Sequence, residues 1–395
     1  MESFDKRILQ IEKNVHADKI CVMIIGLGSV GTYLLDYLVS LNDPAIKIVV
    51  VGRNYDKMQL KVNIVRISAL IREHCKSQIE IDGSVDLTNI DSITQSISKY
   101  QPDFIVNSSR AYSGLKYGTI SWKNIRAYGL WTPLAIRFTK NIMEAVKAAE
   151  SHAITINTSY SDAVNLWLKS ANKPYPDFGS GNFNHLVPRI RYAVAEILGV
   201  KNFWDVGVMF ATGHFHDVCI SKEGHSEGIK QLLKVYFNGS EQDIPQDEIF
   251  ARCKISMPVD EKRNMMNASS NYRIIRAIID TIRTRRENII FTPGIFGELG
   301  GYPVTINYID NILRIKIDES VFSMSEMRTA NAKSLYLDGI EKIVDGTLYY
   351  TDEIIDKVRR AFSVTLPKIV KYSEIEKTAA FIIGEIIEPQ LAKIN

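Results

Sequence analysis

Hydrophobic and polar positions fall into two regimes along the chain. Over the first 165 residues, unbroken apolar runs of strand length alternate with stretches whose apolar residues recur at helical spacing. The runs occupy residues 20–25, 46–51, 79–81, 103–107 and 153–157. Between them, Tyr33, Leu34, Leu35, Tyr37 and Leu38 mark one helix, with others expected over 57–72 and 138–149. Strands that are apolar on both sides need cover on both faces. The pattern therefore predicts a parallel sheet between two layers of helices. Residues 1–19 read as a polar, amphipathic lead-in.

Beyond residue 165 the alternation fades. Residues 189–198 read as a helix, and 203–220 as strand on either side of a His-rich turn. Residues 271–286 carry Ile274, Ile275, Ile278, Ile279 and Ile282 at helical spacing, followed by strands over 304–308 and 312–317. A docked helix is expected over 374–393. The expected architecture is α/β: a doubly wound parallel sheet over 1–165, then a mixed α+β domain over 166–395.

The first apolar run leads directly into Gly26-Leu27-Gly28-Ser29-Val30-Gly31. A GxGxxG sequence alone is weak, but here a buried strand precedes it and a helix follows, the setting of a Rossmann dinucleotide fingerprint. Gly26 serves the tight turn, Gly28 lets backbone approach a pyrophosphate, and Gly31 permits close helix–strand packing. Ser29 and Val30 open the helix, whose unpaired N–H groups and dipole favour anions. The second run ends in Gly52-Arg53-Asn54, with no acid before Asp56. A carboxylate there would hydrogen-bond a ribose 2′-hydroxyl, whereas Arg53, with Asn54 and Lys57 beside it, suits a 2′-phosphate. NADP(H) is therefore favoured over NAD(H). Asn107 and Asn157, ending the fourth and fifth strands, are expected at the cofactor, Asn157 near the nicotinamide.

Several later segments resemble the lactate and malate dehydrogenase superfamily. Asn157-Thr158-Ser159-Tyr160-Ser161-Asp162-Ala163-Val164-Asn165 is similar to the Asn-Pro-Val-Asp turn between its two domains, without the Pro. Gly179-Ser180-Gly181-Asn182-Phe183-Asn184-His185, before Arg189 and Arg191, is similar to its Gly-rich segment with a substrate-binding Arg. Gly213-His214-Phe215-His216-Asp217 resembles its loop bearing the proton-transfer His. Gly297-Glu298-Leu299-Gly300-Gly301-Tyr302-Pro303-Val304 resembles its Pro-containing strand. The nucleotide half equally resembles saccharopine-dehydrogenase-type enzymes. The resemblance implies an NAD(P)-dependent dehydrogenase or reductase, in which one Arg clamps a substrate carboxylate.

Hydride transfer to a carbonyl or imine needs a proton donor, and histidine suits neutral pH. His214 or His216 is expected in that role, with Asp217 as the imidazole's acceptor and Arg189 (or Arg191) as the clamp. The aromatic stretch from Asn107 to Pro133 reads as a lid, with Arg110, Lys116 and Lys123 meeting an anionic substrate. Tyr112, Tyr117, Trp122, Tyr128 and Trp131 would line its pocket. No ligand spacing supports a metal, although His185 or His225 could join His214, His216 and Asp217.

Composition narrows the alternatives. A net charge of +3 on 395 residues gives no ground for a nucleic-acid or membrane partner. Four scattered cysteines fit reduced thiols, and neither a signal peptide nor a membrane span is recognisable. A cytoplasmic enzyme for a small, anionic substrate is expected: a 2-oxo or 2-hydroxy acid, or an imine or amine. Dimers are common among such enzymes, so a homodimer is carried as an expectation. Two rival readings remain: a non-catalytic NADP(H) sensor, and a lyase or hydrolase that recycles its cofactor.

Overall fold

The computed structural model describes residues 2–112 and 114–392. Six strands pair in parallel: β1 (Ile20–Ile25), β2 (Ile46–Val51), β3 (Gln78–Asp82), β4 (Phe104–Asn107), β5 (Ile154–Asn157) and β6 (Phe178–Gly179). Their order is β3-β2-β1-β4-β5-β6, the doubly wound arrangement foreseen from the sequence. Ile25 lies level with Val51 on one side and Asn107 on the other, so the carboxyl ends of the central strands are flush. The order reverses between β2-β1 and β1-β4, which opens a crevice at that edge.

Successive strand residues serve opposite faces. Val22, Ile24, Ile48, Val50 and Val106 face one core, together with α1 (Phe4–His16), α2 (Ser29–Ser40) and α3 (Tyr55–Ile71). Met23, Ile25, Val49, Val51 and Ile105 face the other, with α4 (Ile90–Tyr100), α5 (Gly114–Asn124), α6 (Thr132–Ala148) and α7 (Ser161–Ser170). Helix α3 is apolar on two sides. Met58, Val62, Val65 and Ala69 are buried, while Leu60, Ile64, Ile67 and Ile71 form an exposed stripe.

The second half adds α8 (Asn182–Ile197), α9 (His214–Glu223), α10 (Gln246–Cys253), α11 (Asn264–Thr284), α12 (Met324–Leu337), α13 (Asp352–Phe362) and α14 (Ile375–Ile382). Three small antiparallel sheets accompany them. They are β7 (Val206–Ala211) with β8 (Leu232–Phe237) and β9 (Ser240–Glu241); β10 (Asn288–Pro293) with β11 (Gly301–Ile309) and β12 (Ile312–Ile317); and β13 (Ile340–Val344) with β14 (Thr347–Tyr350) and β15 (Ile369–Lys371). The parallel sheet draws on chain beyond residue 165: β6 completes its edge, α11 packs on α2, and α14 packs on α6.

Two sequence expectations are corrected here. Residues 203–220 are not strand around a turn: β7 stops at Ala211, and His214 begins α9. The alternation His-Phe-His-Asp mimics a strand, but the segment is a helix whose residues 215–220 are all buried, so alternation there does not mark two faces. The amino-terminal lead-in is a helix with Arg7, Ile8, Ile11 and Val15 buried.

Arg7 anchors that helix. Its guanidinium is 2% exposed, donates to both carboxylate oxygens of Asp177, and donates 2.8 Å to the Ala153 carbonyl. Asp177 also accepts from the Thr155 backbone N–H and hydroxyl, each at 2.9 Å. The pair ties α1 to the β5–β6 edge. Arg7→Met leaves a buried carboxylate without its cation and should cost about 3–5 kcal/mol of stability, measured by urea unfolding.

Candidate active site

The β1–α2 turn shapes the first wall of the crevice. Gly26 adopts φ +90°, and a Cβ there would press on Ser109 at 3.0 Å. A Cβ on Gly31 would meet the Gly26 carbonyl oxygen at 2.3 Å, so helix and turn pack too closely for any side chain. At Gly28 a Cβ would meet only open space, and Gly28 caps α2 without a side-chain acceptor. The first N–H groups of α2, at Ser29 and Val30, therefore front the crevice directly.

This crevice is a cavity of about 900 Å³ that also carries Gly52, Arg53, Asn54 and Lys57. The Asn54 side chain accepts from the Lys57 backbone N–H at 3.0 Å, so it caps α3. Arg53 and Lys57 are exposed. Lys61, which the sequence analysis missed, lines the same groove and donates 2.7 Å to the Leu27 carbonyl. One acid lies near: the Asp86 carboxylate, held below its usual range by the Thr88 backbone N–H and hydroxyl, with Arg53 adding to the effect. The residues present thus fit a dinucleotide with its phosphates on α2 and an extra anion beside Arg53.

Asn107 and Asn157 are not among the residues that line this groove. Asn157 is fully buried and donates 3.1 Å to the Ser159 carbonyl and 3.1 Å to Asn165 Oδ1. Asn107 donates 3.0 Å to the Thr139 hydroxyl and accepts from the Ser109 N–H at 3.1 Å. Both amides are consumed in shaping the loops that follow their strands.

Deeper along the sheet edge lies a smaller cavity of about 150 Å³, walled by Arg110, Tyr160, Asp162, Asn182 and His214. Arg110 borders both this cavity and the groove. His214 Nδ1–H donates 2.8 Å to Asp338 Oδ2, and Nε2 lies 3.2 Å from the Asn182 amide nitrogen. Asp338 is fully buried and also accepts from the Tyr160 hydroxyl at 2.6 Å and the Tyr128 backbone N–H at 2.7 Å. The rings of Tyr128 and Tyr160 stand edge-on to the imidazole, with centroids 5.0 and 4.8 Å away. Tyr160 holds its place in the left-handed region, at φ 44°. Burial works against a charged imidazole here. The charge and hydrogen bond of Asp338, with Asp217 and Asp162 nearby, outweigh it and raise His214 to about 9.

The helical geometry separates the other expected residues. His216 sits on a different face of α9, in a pocket of about 280 Å³ with Lys230, Ser325 and Lys333, and burial lowers it to about 4. Asp217 does not hold the imidazole. Asp338 does so instead, 124 residues away in sequence. Nothing local marked Asp338, since Leu-Asp-Gly after a helix reads as an ordinary helix end.

A third cavity, about 650 Å³, adjoins the small one through Asn182, Tyr128 and Asn267, and carries Asp217, Arg189, Lys222 and Arg263. Arg189 donates 2.9 Å to the Cys253 carbonyl, so backbone already holds part of its guanidinium. Burial, followed by the charge of Arg263, lowers Lys222 to about 8. The stretch expected as a lid is not a continuous loop, since it contains α5, and its Trp122, Lys123 and Tyr128 line this cavity. The side chains of Lys116 and Tyr117 lie outside the described residues.

Cys219, Glu223, His225 and Glu227 place four ligand atoms within 4.8 Å of one another. The Arg126 guanidinium already lies among them, hydrogen-bonded to Glu223, Glu227 and Cys219.

No family model and no curated protein matches this sequence. Solved structures do. The malate dehydrogenase of Cryptosporidium parvum aligns with TM-score 0.53 at 15% identity, over 88% of this chain and 100% of its own. The fold is that of the lactate and malate dehydrogenases. The malate dehydrogenase of Aeropyrum pernix gives TM-score 0.52 at 15% identity, over 80% and 97% of the two chains. The minor L-lactate dehydrogenase of Enterococcus mundtii gives 0.50 at 15%, over 80% and 96%.

The His214 ring tests the geometry without any assay of activity. In a nitrogen-detected NMR titration, His214 should stay protonated up to about pH 9. Asp338→Asn removes the charge that offsets burial, so the transition should fall below the unperturbed histidine value of about 6.5.

Proposed function

We propose that this protein is an NADP(H)-dependent oxidoreductase that transfers a hydride to or from a small, anionic substrate. The observation that carries this reading is the position of the His214–Asp338 pair. It sits at the carboxyl edge of a doubly wound sheet, and the dinucleotide groove continues past Arg110 into its cavity. The same edge is where such sheets bind nucleotides.

The α2 N-terminus, Gly28, Ser29 and Val30 would hold the pyrophosphate, and Arg53, Lys57 and Lys61 a 2′-phosphate. The bound nicotinamide would supply or accept the hydride. Asp338 fixes the imidazole so that Nδ1 carries its proton inward and Nε2 faces the cavity, where it gives a proton to the substrate oxygen or nitrogen during reduction. Tyr128, Trp131 and Tyr160 narrow the cavity and restrict water around the reacting atoms. The exposed α3 stripe of Leu60, Ile64, Ile67 and Ile71 supports a homodimer, because residues spaced by four, three and four can pack against their own copy.

Calorimetric titration with NADPH and with NADH tests the cofactor assignment. NADPH should bind more tightly, and Arg53→Ala should weaken NADPH alone by about 10- to 100-fold. His214→Gln should keep cofactor binding while turnover falls by about 10²- to 10⁴-fold. Equal binding of the two cofactors, or turnover unchanged in His214→Gln, would contradict the respective assignment. In sedimentation, Ile64→Glu should convert a dimer to monomer, and a wild-type monomer would dispose of the dimer.

A further inference from the structure

Two buried carboxyl groups next to His214 carry oxygens without protein partners. Asp162 is 5% exposed with Oδ1 unbonded, and Asp217 is 1% exposed with both oxygens unbonded. Asp162 walls the small cavity and Asp217 the large one, on either side of Asn182. Asp338, the third carboxyl group, is already satisfied by three donors. One imidazole thus faces three buried acids, and His214 is the one positive group that acts on Asp217 among the described residues. Burial, reinforced by Asp162 and Asp338, drives Asp217 well above the usual carboxylate range, and burial raises Asp162 to about 6.

The large cavity carries charges of both signs. Asp217 lies at the His214 end, Asp260 and Glu261 sit on the turn that carries Arg263, and Arg263 is close enough to Lys222 for its charge, after burial, to depress the lysine. Lys222 reaches the Tyr128 hydroxyl at 3.1 Å and stacks over Trp122 at 5.2 Å, so its ammonium is held in place at that wall. At about 650 Å³, the space is of the size that takes an extended small molecule. A substrate hydroxyl or ketone brings no charge to offset the acids. A protonated nitrogen brings both the charge and N–H donors for the unbonded oxygens.

We propose that Asp162 and Asp217 form a subsite for a cationic nitrogen. The substrate is then an amine or imine whose anionic group lies toward Lys222 and Arg263, rather than a simple hydroxy or oxo acid. The inference rests on the oxidoreductase reading for the site and narrows its substrate class.

The test compares two matched series on the full chain: 2-amino and N-alkyl-2-amino acids, and 2-hydroxy acids of the same carbon skeletons. Melting shift reports binding, and nicotinamide absorbance with NADP⁺ reports turnover. Wild type, Asp162→Asn and Asp217→Asn are measured side by side. The nitrogen-bearing series should bind and turn over, with apparent affinity at least about tenfold weaker in each variant. Hydroxy acids acting in place of the amines would overturn the subsite and leave the oxidoreductase reading intact. So would amine affinity unchanged in both variants, or silence of both series in a protein that binds NADPH. Failure of wild type to bind either nicotinamide would sink the oxidoreductase reading, while the melting shifts still decide the subsite.

Discussion

The Asp338 carboxylate is the point on which the site turns. It is fully buried and accepts hydrogen bonds from three separate stretches of chain: the start of α9 through His214, the β5–α7 loop through Tyr160, and the segment before α6 through Tyr128. A buried carboxylate is costly unless its oxygens are paired, and these three donors pair them. In return its charge orients the imidazole and outweighs the burial that would otherwise deprotonate it. Fixing Asp338 therefore fixes the mutual position of the parallel sheet, α9 and the α12–β13 corner.

Around that point the sheet edge arranges three spaces in series. The groove over α2 is lined by backbone N–H groups and cations, which suits phosphates. The small cavity holds the imidazole and Asp162. The large cavity opens beyond Asn182 and carries both acids and bases on its wall. Each space follows from the topology: the reversal of strand order leaves loops diverging at the carboxyl edge, and helices of the second half cover them.

The same physics explains how several polar side chains near the site are held. Asn107 and Asn157 sit at strand ends where backbone leaves the ladder, and their amides replace the lost hydrogen bonds. Arg189 is partly spent on the Cys253 carbonyl. Arg126 pairs with Glu223 and Glu227.

The sequence by itself determined the nucleotide half. Runs such as residues 46–51 are apolar on both faces, and only a sheet covered on both sides satisfies them. The glycines at 26, 28 and 31 state local backbone requirements that hold in any setting, and Arg53 follows at the end of β2. The α+β character of the second half was also legible, from the long Ile-rich helix and the β11–β12 hairpin. Tertiary structure decided the chemistry end. Residues 214–217 have no strong local preference, and the chain there is helical with residues 215–220 all buried. That choice pointed His214 at the cavity and His216 away from it. Its partner Asp338 comes from 124 residues downstream, and no local pattern carries a contact of that range.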